Sequence, residues 1–434
     1  MGSTGGAERA ERIPWSVIVS AAAVVVIELV LLAVWQRNAY WEFSDGVYAQ
    51  SARELVQGLA PYRDFAAAQP PAVYLVGAVL LEVHDGLASL RAGMAVADLV
   101  SAVLVCVCVW RLTKVRGAAV AAAVAAPLLP IGLHEHAQLI PETLAAPLLL
   151  GGALMCARPA RAVWGGMLLA LAVACKLAFV VPALAIALAW RERRRATGAL
   201  ILAGLVFAVA SLAVFGTGVW REAVYAQLQV GRTSIHYAAG LLAQGAWNEL
   251  PLVVCAAAAV WLAWRDQRRL IDEPLLRTLV AAAVAGLLLV LTVFKRGSYI
   301  DVLVVAEPPL LALAAAGATW SVRYRAGRIT VGLLGALLAA QAVSLLAHPS
   351  GPWAAQRPGA ASGLAWTAGP GVVGRTVETA ERCPRDRAYS GDPYYAFLSR
   401  RRMPGDQPDL FMLQNAPTDA GFARRAAADQ PRCP

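Results

Sequence analysis

The chain has 434 residues, 59% of them hydrophobic and only 15% charged, with a mean hydropathy of +0.57, whereas soluble domains carry about 25% charged residues. That balance excludes a water-soluble globular protein and describes an integral membrane protein. The net charge of +10 sits in arginine clusters between apolar runs of about 20 residues, which read as topology signals, so nucleic acid is excluded as a partner.

The first apolar run, Ile13 to Trp35, is not followed by a small-residue cleavage pattern. It reads as a spanning anchor behind a short cytoplasmic N-terminus, residues 1–13. Residues 36–87 then form a first extracytoplasmic loop. Within it "DGVYAQSARELVQGL" places Val47, Ala52, Leu55 and Leu59 at helical spacing beside polar residues, as an interfacial amphipathic helix requires. Pro70-Pro71 opens a second apolar piece over 72–83, too short to span.

Further spans fall at 88–112, 117–133, 139–157, 162–190, 197–216, 249–265, 276–294, 301–320 and 329–347. Cytoplasmic loops are marked by Arg111, Lys114 and Arg116, by Arg158 and Arg161, by the run "RERRR" at 191–195, by Arg265, Arg268 and Arg269, and by Arg323, Arg325 and Arg328. Because Arg161 and Arg191 put both ends of the 162–190 run on one side, that run splits into a hairpin of two short helices with its tip near Cys175 and Lys176. A single helix would strand Lys176 in the bilayer at a cost of about 3 kcal/mol.

The expected fold class is therefore an all-α polytopic membrane protein of about 11 transmembrane helices over 14–347. Its N-terminus is inside, its C-terminus outside, and its outward loops are 36–87, 217–248 and "KRGSYID" from Lys295 to Asp301. The tail, 348–434, is extracytoplasmic and contains "RAYSGDPYYAFLSRRRMPGD", which has the aromatic and turn residues of a small folded cap. Cys383 and Cys433 flank that stretch in an oxidising compartment, where they form either a disulfide or two unpaired thiols. The other five cysteines lie in apolar runs and read as small packing residues.

Chemistry-bearing residues gather at the outward loops. Asp45 lies just past the first span, either as a helix N-cap or as a carboxylate that can meet both an acceptor and a lipid headgroup. In "LHEHAQLIPET", His134 and His136 can share a divalent metal with a carboxylate; a Pro141-Glu142 helix start accounts for the same stretch without one. Arg63, Lys176, Lys295 and Arg296 are basic on the outer side, against the trend, and read as phosphate ligands or as snorkelling side chains. Glu28 and Asp98 lie inside spans, where interhelical hydrogen bonding or pairing with Arg91 competes with a functional role.

Four pieces, "DGVYAQSARELVQGLAPYRDF...QPPAVYL", "LIPETLAAPLLL", "ACKLAFVVPAL" and "KRGSYIDVLVVAEPPLLALAAAG", occur in an order that resembles the GT-C superfamily of membrane glycosyltransferases. The likeness is to the group 39 enzymes, bacterial protein O-mannosyltransferases and the lipid A aminoarabinose transferase. The resemblance implies a GT-C-like bundle in the cell membrane that moves a hexose or pentose from a polyprenyl-phosphate donor to a hydroxyl acceptor on protein, lipid or cell-wall glycan. Single displacement would invert the anomeric carbon.

The same resemblance implies Asp45 and Glu142 as catalytic carboxylates and puts Lys176, Lys295 and Tyr299 at the lipid-phosphate site; Arg296 and Arg63, read from their outward charge, join them as donor-phosphate ligands. Tyr48, Gln69, His134 and His136 would line the substrate, and a divalent metal, where one is used, would fall to Asp45, Glu142, His134 and His136. Where aminoarabinose transferases carry Glu-Lys before the Pro-Pro pair this chain has Ala68-Gln69, which removes one carboxylate associated with metal and one lysine associated with phosphate. The competing expectation is a transporter or flippase of a lipid-linked or small anionic substrate. Paired short helices with a charged tip fit it; the lack of an internal repeat, and charges at one face instead of the midplane, do not.

Overall fold

The structure, a computed structural model, describes residues 13–35, 43–135, 137–189, 193–266, 273–322, 328, 332, 335–343, 370–384, 387–429 and 432–433. Apolar helices build nearly all of it. Among the described residues, five helices are long and apolar enough to cross a membrane, and five shorter apolar helices accompany them.

In chain order the helices are α1 (Trp15–Trp35), α2 (Phe43–Val56), α3 (Ala72–Val83), α4 (Leu87–Thr113), α5 (Arg116–Ala125), α6 (Pro141–Cys156), α7 (Ala162–Cys175) and α8 (Val180–Leu188). They continue with α9 (Arg193–Phe215), α10 (Ile235–Asp266), α11 (Pro274–Leu288) and α12 (Glu307–Ser321). Both short helices expected between the first two spans are present as α2 and α3. The last expected span, 329–347, is described only at 332 and 335–343, where the backbone is helical.

The 162–190 run breaks at Lys176, whose backbone is extended (φ −155°, ψ 128°). Pro182 is one cause, since it has no N–H to offer the Ala178 carbonyl four residues back, so a continuous helix loses a bond there. The chain then doubles back. A Cβ built at Gly166, in the first turns of α7, would collide with the Ala196 carbonyl and lie 2.9 Å from the Leu200 amide, in the first turns of α9. The starts of α7 and α9 therefore lie side by side, as a hairpin tipped at Lys176 demands.

One loop expectation is corrected. Residues 217–248 are mostly helical: Trp220–Ala226 forms a π-helical stretch, and α10 begins at Ile235 instead of 249. Gln244, Asn248 and Glu249 give this half of α10 the hydropathy of a loop, yet all three are buried against the rest of the protein. Pro251 lies inside α10 and leaves the Trp247 carbonyl without its helical donor. Gln341 supplies one, its Nε2 donating to that carbonyl at 3.1 Å.

The tail folds as a cap of short elements: α13 (Pro370–Glu381), α14 (Pro393–Leu398), α15 (Leu410–Asn415) and α16 (Ala420–Ala428), with β1 (Ala388–Tyr389) paired parallel to β2 (Arg432–Cys433). A disulfide joins Cys383 to Cys433, with their Cα atoms 5.8 Å apart. The cap sits on α2 and the loop that follows it. Gly46 leaves room for the Tyr394 backbone, which a Cβ would strike. Arg53 donates to the Phe397 carbonyl at 2.5 Å while its guanidinium lies 3.8 Å from the Phe397 ring centre. Gln407 is fully buried between the Ala66 amide, which donates to it at 3.0 Å, and the Asp64 carbonyl, to which it donates at 3.1 Å.

Candidate active site

A cavity of about 480 Å³ opens between α2, the Lys176 hairpin tip, the 292–301 loop and the cap. Its wall from α2 is Phe43, Ser44, Val47 and Tyr48; Ala68 and Gln69 follow from the loop before Pro70-Pro71. Gln69 is held by its backbone, which donates to the Tyr74 hydroxyl at 3.1 Å and accepts from the Tyr62 hydroxyl at 2.5 Å. Apolar Leu177, Ala178 and Val180 from the hairpin, with Val224, Leu228 and Val230, make one side greasy enough for a lipid tail.

Three cations line this cavity: Lys176, Lys295 and Arg296. Each is positioned by local structure. Lys176 sits at the extended break between α7 and α8, and its ammonium donates to the fully buried Glu142, in the first turn of α6. Lys295 follows a 3-10 stretch (Leu289–Phe294) and forms an antiparallel bridge with Arg232, flanked by Thr233 N–H donating to the Phe294 carbonyl at 3.0 Å and Arg296 N–H donating to that of Gly231 at 2.9 Å. Its ammonium donates to Gln227 Oε1 at 2.5 Å. Burial, and then the like charge of Lys176, push the Lys295 pKa down to about 8. Removing water from an ammonium and placing it beside a second one both disfavour its charged form, so the pair is primed for an anion.

Carboxylates reach the same cavity. Asp301 and Asp409 both line it, one from the turn after Tyr299 and one from the cap. Asp409 is buried at the head of α15, where its Oδ1 accepts from Met412 N–H at 2.9 Å. Burial pushes its pKa up to about 6. Tyr48 stands among these groups; burial, then Tyr74, Glu142, Asp409 and Asp301, raise its pKa well above the ordinary value. Tyr299 completes the lining beside them.

Several expected site residues lie elsewhere. Asp45 does not line the cavity and does not cap its own helix. It is buried, with Oδ2 accepting from Arg91 at 2.6 Å and Oδ1 from Leu139 N–H at 2.9 Å. Arg91 also hydrogen-bonds the Tyr394 side chain of the cap, and Asp98 accepts from Ala137 N–H at 3.2 Å. Arg63 is exposed and paired with its neighbour Asp64 at 2.9 Å, away from the cavity. His134 is buried with Nδ1 against Glu135 at 2.7 Å, and it too lies outside the lining; His136 is outside the described residues.

Among the described residues, which leave out His136, the expected donors do not gather around a divalent metal. Glu142 is engaged by Lys176, Asp45 by Arg91 and His134 by Glu135, and among the described residues no three His, Cys, Asp or Glu side chains gather to hold an ion. Sequence reasoning also missed Gln227, Asp301, Asp409, Phe411 and Met412 as lining residues. Asp301 closes the quoted "KRGSYID" stretch, and that proximity to Lys295 was the available signal. Asp409 reads in sequence only as a cap before "LFML", which is its local role as well.

This arrangement of long and broken helices, with a charged cavity under a small cap, is a fold shared with solved membrane-protein structures. Among solved structures the chain is similar to ArnT from Cupriavidus metallidurans bound to undecaprenyl phosphate, at 15% identity and a TM-score of 0.59, covering 90% of this chain and 85% of that one. The apo structure of the same ArnT gives 14% identity and a TM-score of 0.59, covering 94% of this chain and 91% of that one. At these identities the likeness establishes the fold alone. No family model matches the chain, and no curated protein matches it.

Proposed function

We propose that the chain is a membrane glycosyltransferase that takes a sugar from a polyprenyl-phosphate donor and passes it to a hydroxyl acceptor at the extracytoplasmic face. The observation that carries this reading is the convergence of Lys176, Lys295 and Arg296 on one cavity with an apolar side. A phosphate leaving with the lipid gains negative charge as the sugar departs, and fixed cations aimed at it lower that barrier. The ArnT structure with undecaprenyl phosphate, which shares the fold, supports a lipid phosphate as the anion.

Within this reading each group has a task. Lys295 and Arg296 hold the phosphate, Glu142 orients Lys176 toward it, and Tyr48, Tyr299 and Gln69 offer hydrogen bonds to the sugar. The apolar strip from Leu177 to Val180 takes the first part of the lipid tail.

For the acceptor proton the wall helix offers Asp45, next to Ser44 and two residues from Val47, both of which line the cavity. Its Oδ2 is held by Arg91, and acting as base requires an acceptor to draw it from that partner. Attack from the face opposite the phosphate inverts the anomeric carbon.

Lipid and glycan profiling of a deletion strain tests the function. Accumulation of a polyprenyl-phosphate sugar, with one residue missing from an envelope glycan, is the expected result. Unchanged lipids and glycans would overturn it.

A further inference from the structure

We infer that the C-terminal cap completes the active site by supplying Asp409, a carboxylate that binds a hydroxyl of the sugar carried on the lipid phosphate. The inference rests on the transferase reading and assigns a residue from a segment that the sequence resemblance does not reach.

Three observations carry it. First, the 409–412 segment of the cap is part of the cavity wall: Asp409, Phe411 and Met412 all line it. Second, it is pinned there from the bundle side. Gly297 has φ +76°, and a Cβ at that position would lie 2.5 Å from Phe411 Cε1, so the ring lies on a glycine with no side chain; Gln227, which also receives Lys295, donates to Met412 Sδ at 3.3 Å.

Third, Asp409 is buried where a carboxylate is electrostatically out of place for a phosphate ligand. It faces the same space as Lys176, Lys295, Arg296 and Asp301, with Tyr48 and Tyr74 beside it. A negative group there repels the donor's phosphate, and a hydroxyl donated to it offsets that cost. The hydroxyl within reach of a group in a phosphate cavity is that of the sugar attached to the phosphate. Its pKa of about 6 keeps it ionised at neutral pH, ready to accept.

The test uses Asp409→Asn in the full-length protein. Asparagine caps helices as well as aspartate does, so α15 keeps its Met412 bond, while the second oxygen becomes an uncharged NH2 that can no longer accept from a hydroxyl. Undecaprenyl phosphate, which has no sugar, is titrated against both proteins from pH 5 to 8. The variant is expected to bind it at least about threefold more tightly at pH 8, with the two curves converging below pH 6, where Asp409 is protonated in the wild type.

The same variant, expressed in the deletion strain, is expected to restore less than about a tenth of the missing glycan. Wild-type restoration by Asp409→Asn overturns the inference. So does weaker binding of undecaprenyl phosphate by the variant at every pH, because that marks displacement of the cap. A wild-type protein that does not bind undecaprenyl phosphate at all overturns the transferase reading instead, and the two failures are read from different proteins. Asp409→Ser, which also caps, separates loss of the carboxylate from any fault particular to asparagine.

Discussion

Replacing Lys295 with methionine removes a cation whose proton is held more weakly than an ordinary ammonium's. The Lys295 pKa stands at about 8 because the ammonium is buried and shares its cavity with Lys176. If the lipid phosphate binds the protonated form, affinity is full below pH 8 and is lost as pH rises through that value. About nine-tenths of Lys295 is charged at pH 7 and about one-tenth at pH 9, so the Kd for undecaprenyl phosphate rises about tenfold, or 1.4 kcal/mol. The ligand does not contribute to this slope, since a phosphate monoester loses its second proton near pH 6.

The assay is microscale thermophoresis of detergent-purified protein against undecaprenyl phosphate at half-unit steps of pH. Lys295→Met should bind at pH 7 at least about tenfold more weakly than wild type and lose the slope. Lys176→Met should keep a slope but move its midpoint upward, since the like charge that depresses Lys295 is gone. A wild-type Kd that is flat from pH 7 to 9, or a slope that survives in Lys295→Met, would refute the reasoning.

Three further perturbations follow from the geometry. Asp45→Asn keeps the Leu139 bond through its remaining oxygen but gives up the charge held by Arg91; glycan restoration in a deletion strain should fall by about 100-fold or more, with undecaprenyl phosphate binding within about threefold of wild type. Gly297→Ala meets both a left-handed backbone, at about 1–2 kcal/mol, and the Phe411 ring. It should weaken lipid-phosphate binding several-fold, whereas Gly198→Ala, which would touch nothing within 4 Å, should leave binding unchanged. Cys383→Ser opens a 50-residue loop, worth about 4 kcal/mol of chain entropy; limited proteolysis should then cut the 370–433 region under conditions where the wild-type cap survives.

Much of the fold could be read from sequence because a bilayer leaves few options: apolar runs of spanning length must be helices, and arginine clusters must alternate. The hairpin at Lys176 followed from that logic alone, and the structure breaks there. The site was legible where its residues are anomalies. Lys176, Lys295 and Arg296 stand out as outward cations, and the structure brings all three to one cavity with Tyr48, Gln69 and Tyr299.

What sequence could not supply is pairing over distance. Asp45 meets Arg91, 46 residues away, and Leu139, 94 residues away, and nothing local to "SDGVYAQ" announces either partner. Arg63 has the same residue type and the same loop as a good phosphate ligand, but its backbone turns it to solvent beside Asp64. The helical 235–248 stretch was missed because Gln244, Asn248 and Glu249 look solvated until the neighbours that bury them are known. Asp409 lies 114 positions beyond Lys295 in the cap, and only the docking of the cap on α2 and Gly297 makes the two neighbours.

The central claim, a lipid phosphate held by Lys176, Lys295 and Arg296, is tested most directly by cryo-electron microscopy of the full chain with undecaprenyl phosphate in nanodiscs. The account predicts phosphate density within about 3 Å of the Lys295 ammonium and the Arg296 guanidinium, with the lipid leaving past Leu177 and Val180. Lipid density that is ordered elsewhere on the bundle while this cavity stays empty would contradict it.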